Sequence, residues 1–145
     1  MSKKKPRKTQ IPRSKTNQIQ RTILPPLQGV SFSFKYFQPL HEEFNISQQD
    51  GKYLNALLLR LKDLCSLSSF DLKANRSSSL RCHPIDWKDT SQDSFGIIGE
   101  EQIVDQAYQF SLSANQYGRV HGFFIQEVFY IVWLDPNHKL YPGRK

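Results

Sequence analysis

Val128-Phe129-Tyr130-Ile131-Val132-Trp133-Leu134 is apolar at odd and even positions alike. In an extended chain successive side chains point to opposite faces, so such a strand is buried on both sides and belongs at the centre of a sheet. Asp135-Pro136-Asn137 breaks it with good turn residues, and His138-Lys139-Leu140-Tyr141 forms a short last segment. Working backwards, Gln126-Glu127 reads as a two-residue turn, Arg119 to Ile125 as a strand, and Asn115 to Gly118 as another turn. Before that turn, Tyr108-Gln109-Phe110-Ser111-Leu112-Ser113 alternates as a half-buried strand does.

The same alternation opens the ordered part of the chain. Val30, Phe32, Phe34 and Tyr36 interleave with Ser31, Ser33 and Lys35, which predicts a strand ended by Pro39. Ser47 and Asp50 resemble a capping box. Leu54, Leu57, Leu58, Leu61, Leu64 and Cys65 then recur at helical spacing, an ordinary core-facing stripe. A second helix is expected near Ser69 to Arg76, capped by Ser68 or Ser69. Residues 77–107 carry weaker signals: loops at Ser77-Ser78-Ser79 and Asp86 to Gly96, a short strand near Leu80 to His83, and a helical turn within Glu100 to Gln106. The expected fold is α+β: an N-terminal strand, one or two helices, then a three- to four-stranded antiparallel sheet. A helix covers one sheet face, and the other face or its rim is the natural place for a site.

Residues 1–29 lack either periodicity and predict a disordered basic tail ahead of a single domain spanning 30–145. The net charge of +7 is unevenly distributed. Lys3, Lys4, Lys5, Arg7, Lys8, Arg13, Lys15 and Arg21 give the first 21 residues +8 with no acidic residue; the other twelve Lys/Arg face thirteen Asp/Glu, leaving −1. Such an arm suits phosphate backbones through counterion release, without sequence selectivity, or serves as a solubilising tail. No apolar run is long enough to span a bilayer, and no apolar stretch follows the basic start as in a secretory signal. Cys65 and Cys82 are too few for a disulfide framework and form no Cys-x-x-Cys pair, so a reducing, cytoplasmic setting is expected.

Candidate chemistry collects around the C-terminal sheet. Arg119 and His121 share one strand face, Asp135, His138, Lys139 and Tyr141 follow the central strand, and Arg76, Arg81, His83 and Asp86 precede the sheet. Metal binding would draw on the His83/Asp86 and Asp135/His138 pairs with His121, but no recognised ligand spacing is present, and no metal or other cofactor is expected. Metal-free phosphodiester cleavage needs a base for the ribose 2′-hydroxyl, cations for the phosphorane and an acid for the leaving oxygen. Arg81, Arg119, His138, Lys139 and Tyr141 supply those types. Each also has a structural role open to it, Tyr141 as a core-edge aromatic and His138 as part of the Asp135 turn. Phe123, Phe129 and Trp133 could stack bases or fill the core, and Trp87, in a loop, is the better candidate for an exposed stacking residue.

Tyr117-Gly118-Arg119-Val120-His121-Gly122-Phe123-Phe124, the turn, Phe129-Tyr130-Ile131-Val132-Trp133 and then His138-Lys139-Leu140-Tyr141 resembles the closing part of RelE/ParE/HigB-type toxins. There a Tyr-Arg-Val strand precedes a two-sided apolar strand and a His-Arg-x-x-x-Tyr-like ending. The resemblance implies a RelE-like fold and the toxin of a toxin–antitoxin pair. In the RelE branch it implies a metal-independent mRNA endoribonuclease acting in the ribosomal A site; the ParE branch keeps the fold without that activity. Arg119 would match the phosphate-holding strand arginine, Tyr141 the C-terminal tyrosine, and His138 with Lys139 the basic pair. RNA or the ribosome and a cognate antitoxin would be the partners. The alternative is a non-enzymatic nucleic-acid-binding or partner-docking protein, with the basic arm supplying affinity.

Overall fold

A computed structural model describes residues 29–75 and 77–143. The tail, including Lys3, Lys4, Lys5, Arg7, Lys8, Arg13 and Lys15, lies outside the described residues. The elements run β1 (Ser31–Ser33), α1 (Gly51–Leu64), α2 (Ser69–Ala74), β2 (His83–Pro84), a 3₁₀ turn (Trp87–Asp89), α3 (Glu100–Ile103), β3 (Ala107–Ser111), β4 (Arg119–Ile125) and β5 (Val128–Asp135). The α+β order matches expectation. The sheet differs: it is mixed and five-stranded, in the order β1-β5-β4-β3-β2. The extra strand is the two-residue edge β2, antiparallel to β3, and β1 lies parallel to β5. The first strand is also shorter than its alternation suggests, since the chain turns at Lys35-Tyr36 and leaves Phe34 exposed.

The two-sided apolar strand β5 is central, between β1 and β4, as its sequence requires. Its ladder contains an irregularity: His121 pairs with Trp133 but Gly122 pairs with Ile131, which makes Val132 the extra residue of a bulge. The bulge is anchored by Gln38. Its backbone N–H donates to the Val132 carbonyl (3.0 Å). Its side-chain oxygen accepts from Trp133 Nε1 (2.7 Å), and its Nε2 donates to the Phe95 carbonyl (2.8 Å). One polar side chain thus fastens two loops to the central strand.

Asp50, not Ser47, caps α1; its carboxylate accepts from the Lys52 and Tyr53 amides (3.1 and 3.3 Å). The helix buries Tyr53, Leu57, Leu61 and Leu64. Leu54 and Leu58, expected in the stripe, are 44% and 62% exposed, because Tyr53 takes the first inward position. Ser68 caps α2, and Glu127 of the β4–β5 turn accepts from the Ser69 amide (2.8 Å) and hydroxyl (2.6 Å). One core gathers α1, α2 and the Phe110, Val120, Phe129, Ile131 and Leu134 side of the sheet.

The opposite face is not open. Loops supply Phe44, Ile85, Phe95, Leu140 and Tyr141 to a second core over Ala107, Phe123, Val132 and Trp133. Phe123, Phe129 and Trp133 are therefore buried and unavailable to bases. Trp87 is not an exposed platform: its ring lies edge-on to Phe95 (5.1 Å) and Trp133 (6.1 Å). With both faces covered, only the ends and edges of the sheet remain for a site. Among the described residues no helix is long and apolar enough to cross a membrane.

The crowding at β4 sets a test. A Cβ on Gly122 would collide with the Tyr130 carbonyl oxygen and the Phe129 ring, whereas one on Gly51 meets nothing within 4 Å. Gly122→Ala is expected to lower unfolding free energy by about 1–3 kcal/mol, while Gly51→Ala is neutral or slightly stabilising. Urea unfolding midpoints check both, and equal midpoints for the two variants would contradict this packing.

Candidate functional site

The open end of the sheet is where β4 begins and β5 finishes. Arg119 opens β4 and is in register with Ser111 on β3 and Asp135 on β5. Before it, Tyr117 and Gly118 both take positive φ (69° and 66°), and a Cβ on Gly118 would strike the Asp135 carbonyl oxygen. A cleft of about 280 Å³ opens here, with Arg81, Tyr117, Arg119, Asn137 and His138 in its lining. Arg81 and His138 also have positive φ (50° and 55°). Three of the four described non-glycine residues in that region therefore line this one cleft, the kind of backbone strain that concentrates at working sites.

The cleft is cationic. Arg81 is exposed and donates from Nε to the Ser78 carbonyl (2.7 Å). Arg119 is half-buried and donates from Nη1 to the Gly118 carbonyl (3.2 Å), and its buried Nε has no partner among the described residues. Neither guanidinium has a carboxylate within 4 Å among the described residues. Burial, then repulsion from Arg81, push the Arg119 pKa down against the pull of Asp135. Burial, then Arg119, lower that of His138; Asp135 opposes them, and His121 and Arg81 add to the lowering. His138 is therefore a neutral imidazole at pH 7, able to accept a proton.

The carboxylate that acts on both Arg119 and His138 is Asp135. Asp135 is fully buried, and its Oδ2 accepts from His121 Nε2 (2.9 Å) and from the Leu140 amide (3.0 Å). Its Oδ1 accepts from the Lys139 amide (2.8 Å). Burial pushes the Asp135 pKa up, but the hydrogen bonds from His121 and from the two amides outweigh it and hold it below the usual range. Burial dominates at His121 and lowers its pKa despite Asp135, with Arg119 and His83 adding to the lowering. Beside it, Gln109 Nε2 donates to His83 Nε2 (3.1 Å), whose Nδ1 donates to the Pro84 carbonyl (3.0 Å).

Of the five residues expected to be catalytic, the cleft brings together Arg81, Arg119 and His138. Lys139 is exposed, engaged through its amide, and does not line it. Tyr141 is 7% exposed in the second core, and its hydroxyl accepts from the Asp86 amide (3.1 Å). Sequence reasoning missed Tyr117 as a lining residue and Asp135 as a buried anchor. The Asn115 to Gly118 turn just before Arg119 is a usable sequence signal for the first; the second needs the β4–β5 register. Among the described residues, no three His, Cys, Asp or Glu side chains group as metal ligands. No family model, no curated protein and no solved structure matches this chain.

The buried pair predicts a pH dependence. The folded pKa of His121 lies below its unfolded value of ~6.5, so the unfolded chain takes up the proton first. The contribution is complete above pH ~6.5 and lost as pH falls below it, at up to about 1.4 kcal/mol per pH unit for this residue. Asp135 contributes in the same sense only below pH ~4, where its unfolded form protonates. Urea unfolding from pH 7.5 to 4.5 should show stability falling below pH 6.5, with a shallower fall in His121→Gln. A wild type equally stable at pH 7.5 and 5 would contradict a neutral buried His121.

Proposed function

We propose that this protein is a metal-independent endoribonuclease of the RelE toxin type, cutting RNA in the cleft where β4 begins and β5 ends. The observation that carries the reading is the convergence of Arg81, Arg119 and His138 with no carboxylate in ion-pair reach among the described residues. Two uncompensated guanidinium groups at one small cleft favour a doubly bonded phosphate oxygen pair over any neutral ligand. The order of strand, helices and sheet and the Tyr117 to His138 part of the motif support the toxin resemblance, whose closing tyrosine falls on the buried Tyr141.

In this reading Arg81 and Arg119 hold the scissile phosphate and stabilise charge as it gathers on the phosphorane. His138, neutral at pH 7, takes the proton from the ribose 2′-hydroxyl. The 2′-oxygen bonds to phosphorus, the bond from phosphorus to the 5′-oxygen breaks, and that oxygen takes a proton to leave as a hydroxyl. Tyr117 lines the cleft while its ring lies edge-on to Tyr53 (5.7 Å), and in this reading it takes the place of Tyr141 as the proton donor. The arm at residues 1–21 adds salt-dependent, sequence-independent affinity for RNA or the ribosome, and an antitoxin would be the natural inhibitor.

Arg119→Ala, Arg81→Ala and His138→Ala are each expected to lower RNA cleavage by about 10²-fold or more with folding intact, and to relieve growth arrest on induced expression. Tyr117→Phe should lose cleavage likewise. Tyr141→Phe should stay within about threefold of wild type and lose about 1 kcal/mol of stability. Intact RNA and healthy growth at high wild-type expression would sink the enzyme reading. Strong binding without cleavage, abolished by deleting residues 1–21, would favour the non-enzymatic nucleic-acid-binding alternative.

A further inference from the structure

The chemistry proposed for the cleft makes no direct use of the fully buried pair His121–Asp135 beneath it. We propose that Asp135, oriented by His121, is the positioning residue for His138; this rests on the endoribonuclease reading. His138 sits at φ 55°, a region non-glycine residues rarely hold without support from their surroundings. Ser91 and the second core hold the segment that follows it, but the acceptors for the turn's own amides come from one residue. The His138 amide donates to the Asp135 carbonyl (3.2 Å), and the next two amides, Lys139 and Leu140, donate to the two carboxylate oxygens (2.8 and 3.0 Å). Asp135 therefore closes the turn on His138 itself and on both residues that follow.

His121 completes the anchor. Its Nε2 donates to Asp135 Oδ2, and its Nδ1 is buried with no partner among the described residues, so the bond to Asp135 is its side chain's one polar engagement there. The ring is held edge-on by Phe44 (6.0 Å) and Trp133 (6.1 Å). Asp135, Arg119 and His83 act electrostatically on His121, while Arg119, Asp135, His121 and Arg81 act on His138. A simple counter-ion role for Asp135 is a poor fit, because no guanidinium nitrogen comes within 4 Å of it among the described residues. Positioning by a fixed hydrogen-bond cage is the role its bonds describe.

Asp135→Asn tests this. The Asn side chain offers one accepting oxygen in place of two, so at least one of the Lys139 and Leu140 amides loses its partner and the turn loosens. The expected result is a fall in kcat of roughly 30- to 100-fold, with KM for a short single-stranded RNA within about threefold. The His138 imidazole resonances should shift or broaden, read by ¹H–¹⁵N correlation on the full chain. A kcat equal to wild type with unmoved His138 resonances overturns the proposal, as does a loss confined to KM. If Asp135→Asn does not fold, His121→Gln, whose amide can still donate to Asp135, should keep cleavage within about fivefold while His121→Phe loses it; equal rates in both overturn the proposal. The wild type supplies a reading that no unstable variant affects: His121 should show a slowly exchanging Nε2–H, and rapid exchange there counts against the anchor. A wild type that cleaves no RNA removes the parent reading and this one together. Cleavage undiminished by Asp135→Asn removes this one alone.

Discussion

A carboxylate with no exposure to water is the constraint on which the functional end of this fold depends. Taking an ion out of water costs several kcal/mol unless hydrogen bonds replace its hydration. Asp135 meets that requirement with three donors: His121 Nε2 and the Lys139 and Leu140 amides. Each comes from a part of the chain that must be correctly placed. His121 is there because β4 and β5 are in register, and the two amides are there because the chain turns sharply after β5. Sheet register, turn geometry and the His138 backbone are thus set together.

The same bonds keep the cleft cationic. Residues 22–145 carry almost no net charge, twelve Lys/Arg against thirteen Asp/Glu, so attraction for an anion there must come from a local arrangement. Asp135 directs its oxygens at donors inside the protein, and among the described residues no carboxylate lies within 4 Å of the Arg81 or Arg119 guanidinium. The loop layer contributes by exclusion. Gln38 clamps the bulge of β5 and the Phe95 loop, the aromatic core fills in behind, and that sheet face is closed. The sheet end is left as the place where these polar groups meet solvent.

Much of this is legible in the sequence. Alternation in Tyr108 to Ser113 and the two-sided run from Val128 to Leu134 located β3 and the central β5, because periodicity follows directly from strand geometry. Arg81, Arg119 and His138 were legible as a basic group near one sheet end. Tyr141 misled because a tyrosine at a chain's end can face a site or fill a core with its hydroxyl tied, and only packing decides. The parallel pairing of β1, the loop layer over the second face and the burial of Asp135 depend on contacts far apart in sequence, which local patterns do not encode. Asp135-Pro136-Asn137 read correctly as a turn while its buried bond to His121 stayed hidden.

The central claim is that a local anion site, distinct from the basic arm, binds the RNA backbone. The most direct measurement titrates the full chain with a single-stranded RNA made uncleavable by a 2′-deoxy substitution, following arginine Nε–H and histidine resonances by NMR. Saturable shifts at Arg81, Arg119 and His138 are the result expected from the cleft. Shifts confined to the lysines and arginines of residues 1–21, with those three unmoved at saturation, would contradict it.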